Sequence, residues 1–136
     1  MKIVAALFTD DIELRSVPGP STRIDLSGVQ FSAPAPTPVP FTIAPHLVVL
    51  VWNPPGHSDT AALEVVFTAG DDPDIAADEE PIARNVQPLE IEPGKFNYRL
   101  VRAELAFDEY GTVLARCRID AGPEHVVPYT MLPPVA

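Results

Sequence analysis

The residues able to do chemistry lie in a few short stretches. The loop Asn53-Pro54-Pro55-Gly56-His57-Ser58-Asp59 sets a histidine, a hydroxyl and a carboxylate side by side. Those are the side-chain types of a nucleophile triad, but a triad needs its groups to converge from separate positions. No G-x-S-x-G elbow accompanies them. The plainer content of this loop is a turn in which Ser58 or Asp59 bonds to nearby backbone. Asp10, Asp11 and Glu13 crowd a second stretch. Paired carboxylates do acid/base work when their environments split their pKa values. The same residues would also serve as the cap and first-turn acids of a helix over Asp10 to Arg15. Asp10, Asp11, His57 and Asp59 are the side chains that a small-molecule or hydrolytic site would use.

The run from Asp71 to Glu80 holds six carboxylates and no base. Calcium takes six to eight oxygen ligands, so the residue types suit it. The spacing does not match an EF-hand loop, because Pro73 interrupts and the central glycine is missing. A solvated loop between strands is the simpler reading. His46, His57 and His125 have no metal-ligand spacing. The one cysteine, Cys117, sits on the apolar parity of its segment and reads as an inert buried thiol. Gly19-Pro20-Ser21-Thr22 lacks the Gly-Lys of a phosphate loop. No cofactor, no metal and no catalytic constellation is implied.

The elements that must position these groups read as β-strands. Seventeen prolines and seven glycines cut the 136 residues into short pieces. A helix interior loses about 3 kcal/mol for each proline, which leaves little room for long helices. The pieces between are rich in Val, Ile, Leu, Phe, Tyr and Thr, which suit a pleated surface. Thr112 to Asp120 is the clearest strand. Val113, Ala115, Cys117 and Ile119 alternate with residues that include Arg116 and Arg118, and the arginines are expected on the solvent side. Phe96 to Phe107 and Glu124 to Leu132 are expected to flank it in an antiparallel meander. The first of these changes phase near Leu100, through a bulge or a break into two strands.

Leu47 to Trp52 is apolar on both parities and reads as a central strand covered on both faces. Ala62 to Ala69 alternates, with Leu63, Val65 and Phe67 inward. Lys2 to Phe8 and Thr22 to Leu26 are further strands. Trp52 and Tyr110 would make good interface anchors, although aromatic residues in β proteins go first to the core. Pro34, Pro36, Pro38 and Pro40 recur at every second residue. This suits polyproline II. It also suits an outermost strand in which one edge loses its donors, while Ala35, Thr37, Val39 and Phe41 keep theirs on the other.

The expected fold is therefore all-β: one domain over residues 1–136, a mainly antiparallel sandwich of seven or eight strands, immunoglobulin-like or a small barrel. The net charge of −10 argues against nucleic acid and against anionic lipid. The imbalance is concentrated in residues 1–83, with twelve acids and three bases, against seven and six in residues 84–136. One cysteine, six apolar residues at the start cut off by Asp10 and Asp11, and no long apolar run point to a cytoplasmic, membrane-free protein.

Three features resemble a family of uncharacterised bacterial domains, frequent in actinobacteria. They are the opening Ala5-x-Leu7-x-x-Asp10, the apolar strand Leu47 to Trp52 with its proline-bearing loop, and the closing segment. That segment has a turn at Tyr110-Gly111, the run Ile119-Asp120-Ala121-Gly122, and a last strand ending near Leu132. A glycine-rich turn of that family is reduced here to Pro18-Gly19-Pro20. The resemblance implies a β-sandwich and carries no activity. Together these readings lead to an expectation of a non-enzymatic binding or assembly module, engaging a protein partner or itself. A small-molecule or hydrolytic domain and a calcium-stabilised domain are the alternatives.

Overall fold

A computed structural model describes residues 1–16, 22–74 and 81–135. Eleven strands and no helix occur among them: β1 (Lys2–Ser16), β2 (Thr22–Gln30), β3 (Ser32–Pro34), β4 (Phe41–Ile43), β5 (His46–Trp52), β6 (Thr60–Ala69), β7 (Ala83–Glu90), β8 (Phe96–Arg102), β9 (Leu105–Phe107), β10 (Gly111–Ile119) and β11 (His125–Leu132). The first sheet has the order β2-β1-β5-β8 and the second β3-β11-β10-β6-β7, and β4 pairs with β9 in a small third sheet. All pairings are antiparallel except β3 with β11. The described strands do not close into a barrel, so the small-barrel alternative falls.

Alternation explains the core. Leu47, Val49 and Val51 of β5, Leu63, Val65 and Phe67 of β6, and Val113, Ala115 and Cys117 of β10 are all at most 2% exposed. They belong to one buried cluster drawn from all three sheets. β5 is central as expected, and Val48 on its opposite parity is also buried but outside that cluster. Trp52, on the same outer parity, is half-buried and stacks on the exposed Phe96 with ring centroids 6.2 Å apart. Tyr110 goes instead to the core side, near Phe41.

Four expectations need correction. Eleven described strands replace the expected seven or eight, because short segments at the crossings form strands of their own. Asp10 to Arg15 forms no helical turn. It continues β1, because Ile12 and Leu14 alternate with Asp11, Glu13 and Arg15 at period two and find an antiparallel ladder in β2. The expected meander holds only on one side: β11 pairs with β10, but the other neighbour of β10 is β6. Of the two outcomes open for the Phe96–Phe107 run, the break into two strands is the one found: β8 joins β5 and β9 joins β4, so the change of phase marks the chain leaving one sheet for another. Arg116 does not face solvent. It is 3% exposed, because residues after β6 cross the outer face of β10 and meet its guanidinium with backbone carbonyls.

The alternating prolines form an outer strand only in part. β3 is the edge of the second sheet, and residues 36–40 bend away. Three of the four residues that keep a donor meet a different neighbour each. Ala35 N–H bonds to the Leu132 carbonyl at 2.8 Å, Val39 N–H to the Tyr110 hydroxyl at 3.3 Å, and Phe41 joins the β4–β9 ladder.

The chain crosses between the large sheets five times, once at Phe31 between β2 and β3 and otherwise through a pair of segments at each end of the body. At one end the segments leading into β5 and out of β8 meet as β4 and β9. Phe41 stacks on Phe107 there, with centroids 5.1 Å apart. At the other end Asn53 ties the crossing after β5 to the one before β8. Its Nδ2 donates to Ile91 O at 2.7 Å and Ser58 O at 2.9 Å, while its backbone N–H donates to Lys95 O at 3.0 Å.

Candidate functional site: a projecting arm and the cleft at its root

β1 is fifteen residues long, and its two halves have different neighbours. Lys2 to Thr9 lie between β5 and, from Phe8 onward, β2. Beyond Thr9 only β2 pairs with it. The seven residues from Asp10 to Ser16 extend about 20 Å at the rise of a strand, so the hairpin leaves the body as a two-stranded arm.

The arm is amphipathic. Register places Ile12 opposite Leu26 and Leu14 opposite Ile24 on one face, with Asp11, Glu13, Arg15, Arg23 and Asp25 on the other. Asp25 receives ion pairs from Arg15 and from Arg23, the latter at 3.1 Å. The apolar face continues the parity of Ala6 and Phe8, which are buried in the body. In the body the second sheet covers that face. On the arm, Ile12, Leu14, Ile24 and Leu26 lie outside the core cluster, and Leu14 is 53% exposed.

The arm's root frames a cleft of about 340 Å³. Phe8 and Tyr129, with ring centroids 4.7 Å apart, join β1 to β11 beside it. Tyr129 donates its hydroxyl to Gln30 Oε1 at 2.9 Å, and Gln30 Nε2 donates in turn to Asp10 Oδ1. Asp10 stands opposite Gly28 in the ladder. Gly28 has φ +66°, and a Cβ there would overlap the Asp10 carboxyl group, so glycine serves both the backbone and the close approach. Burial first, and then the negative charge of Asp10, push the Tyr129 phenol above its ordinary value. The cleft is also lined by His46, at the start of β5, and by Pro34, Pro36, Ile43 and Met131.

The four candidate side chains divide between the two ends of the first sheet. Thr9 pairs with His46 at one end of β5 and Lys2 with Trp52 at the other. Asp10 and Asp11 follow Thr9, while His57 and Asp59 follow Trp52. About 20 Å of strand separates the two pairs. His57 and Asp59 are exposed. Ser58 makes the expected local bonds, accepting from Thr60 N–H at 3.3 Å, and the Asp59 carbonyl accepts from Ile91 N–H. Asp11 is exposed and bonds to its neighbour Ile12 N–H. Asp10 is thus the one candidate in the cleft, and its companions there are Gln30, His46 and Tyr129.

Burial pushes the Cys117 thiol up to about 12, in keeping with an inert side chain. Of the acidic run, residues 75–80 lie outside the described residues. Asp72 and Pro73 offer their carbonyls to Arg116. Among the described residues no group of three or more His, Cys, Asp or Glu converges to hold a metal ion. No described helix is long and apolar enough to cross a membrane.

Gln30 and Tyr129 carry no motif, and neither stands out in the sequence. Their meeting depends on β2 and β11 coming together from opposite ends of the chain. The arm's apolar face is signalled by the alternation of Ile12 and Leu14 with charged residues. Comparison with known proteins returned no match: no family model, curated protein or solved structure is similar to this chain.

Proposed function

We propose that this chain is a non-enzymatic binding or assembly module that works through protein–protein contacts, with the β1–β2 arm as its contact element. One observation carries the reading: four core-type side chains, Ile12, Leu14, Ile24 and Leu26, form a continuous apolar face outside the chain's own core. A two-stranded hairpin is marginal by itself in water, and covering this face would stabilise it. The net charge of −10 disfavours nucleic acid and anionic lipid as the cover and leaves a protein surface.

The body behind the arm we take to be an open, immunoglobulin-like sandwich of the two large sheets. The shared core cluster and the Phe8–Tyr129 contact between the sheets support this. The resemblance to uncharacterised bacterial domains agrees with such a fold, and a single free cysteine suits the cytoplasm.

The test is native mass spectrometry and light scattering of the wild type beside the double variant Leu14→Asp, Ile24→Asp. The wild type is expected as a multimer or a stoichiometric complex, and the variant as a monomer with the melting temperature of the body unchanged. A wild type that stays monomeric and solitary, indistinguishable from the variant, ends this reading.

A second reading is favoured by the cleft: a small-molecule site at one end of the body, using Asp10. His57 and Asp59 have no part in it, since they lie at the far end of β5.

A further inference from the structure

Asp10 is an exposed carboxylate that shares its cleft with the imidazole of His46. None of the ion pairs among the described residues uses it, and no lysine or arginine lines the cleft. Its orientation is nevertheless built. The hydroxyl of Tyr129, itself 4% exposed, fixes Gln30 by bonding to Oε1, which turns the amide NH₂ toward Asp10. A neutral amide donor leaves the charge of the carboxylate uncancelled. Gly28 gives the carboxyl group room to lie against the β2 backbone.

The rest of the cleft has a different character. Phe8, Tyr129 and Met131 form its floor but are at most 4% exposed. Pro34, Pro36 and Ile43 supply apolar walls, which take hydrocarbon. The volume, about 340 Å³, lies at the small end of ligand sites.

We propose that the cleft binds a small organic ammonium ion with an apolar body, its charge set against Asp10 and its body against the wall of Pro34, Pro36 and Ile43. This rests on the second reading above, that the cleft is a ligand site, and it specifies the class of ligand. An anion would meet the Asp10 carboxylate directly. A neutral hydrocarbon would bury the carboxylate without compensation.

Three probes of one skeleton separate the possibilities: 2-phenylethylammonium, 2-phenylethanol and phenylacetate, each titrated into the full chain and followed by amide and side-chain NMR. The ammonium probe is expected to move the Gln30 side-chain amide signals and to bind about tenfold more tightly than the alcohol, the scale of one partly screened charge contact. Phenylacetate is expected not to bind. Asp10→Asn keeps the shape above Gly28 and should remove that tenfold advantage while leaving the alcohol's affinity as it was. Equal binding of alcohol and ammonium, binding of phenylacetate, or an Asp10→Asn variant that still prefers the ammonium ion would overturn the charge assignment and leave the cleft as a ligand site of another class. Silence of the Gln30, His46 and Tyr129 signals toward all three probes would remove the ligand-site reading itself.

Discussion

Arg116 and Thr68 meet on the outer face of the second sheet, with the guanidinium Nε donating to the Thr68 hydroxyl at 3.1 Å and both residues buried. Strands β10 and β6 bring them side by side. The other guanidinium nitrogens reach the carbonyls of Pro73 and Asp72 at 3.1 and 3.4 Å, and Nη1 also reaches Glu124 at 3.3 Å. One side chain thus ties the segment after β6 to the sheet and to the turn before β11.

Replacing Arg116 should therefore be costly. Arg116→Ala strips a donor from several buried or half-buried acceptors and, among the described residues, leaves Glu124 its ion pair with Arg118, which is 3.7 Å long. A loss of about 3 kcal/mol is expected, the scale of breaking one partner out of a buried charged network. Denaturant unfolding would measure it. Hydrogen exchange should quicken at residues 70–74 beyond what the global loss explains. Unchanged exchange there would show that the segment is held by other contacts.

Cys117 gives a pH dependence with a definite sign. Its thiol is raised from an ordinary 9.0 to about 12 in the folded chain by burial. The folded state holds its proton where the unfolded state releases it. This contribution to stability is complete below about pH 9 and falls away as pH rises from there toward 12, by up to about 1.4 kcal/mol per pH unit. Cys117→Ala should show a shallower decline than the wild type over that window, which isolates the thiol from tyrosines and lysines. In the native protein at pH 8 the thiol should resist alkylation and react only after unfolding. Rapid native labelling would contradict the burial.

Asn53 should be a stability residue rather than a binding one. It is fully buried, and its Nδ2 donates to Ser58 O within its own crossing and to Ile91 O in the other. Asn53→Ala is expected to cost about 2–3 kcal/mol, from two unsatisfied carbonyls. Asn53→Asp should be worse at neutral pH, because a carboxylate would face two carbonyl oxygens with nothing to donate. It should recover partly in acid, where a protonated carboxyl group regains one donor. Melting curves of the two variants at pH 7 and pH 4 make the comparison. Equal stability of Asn53→Asp at both pH values would mean that the side chain is not confined between those carbonyls.

Strand identity is legible in the residues themselves. The alternation at Leu63, Val65 and Phe67, and at Val113, Ala115 and Cys117, marks the inward face at every one of those positions. The doubly apolar run at Leu47 marks the central strand. The chemistry is less legible. Asp10 is visible as a carboxylate, but its partners Gln30 and Tyr129 are separated by 99 positions, and nothing local links them.

The kind of element and the parity of each face follow from the residue types and their order. Period-two alternation and the scattered prolines are local properties, and local sterics act on them directly. What lies over each face follows from long-range packing instead. Alternation assigned Arg116 to a polar face, but not that residues after β6 would cross it. Alternation made one face of Ile12, Leu14, Ile24 and Leu26 apolar, but not that the second sheet would stop short of it. Alternation also gave no sign that Asp10 and His57 would stand at opposite ends of one strand. Pairing and coverage depend on contacts between distant parts of the chain, and those contacts leave no periodic mark on the residues that make them.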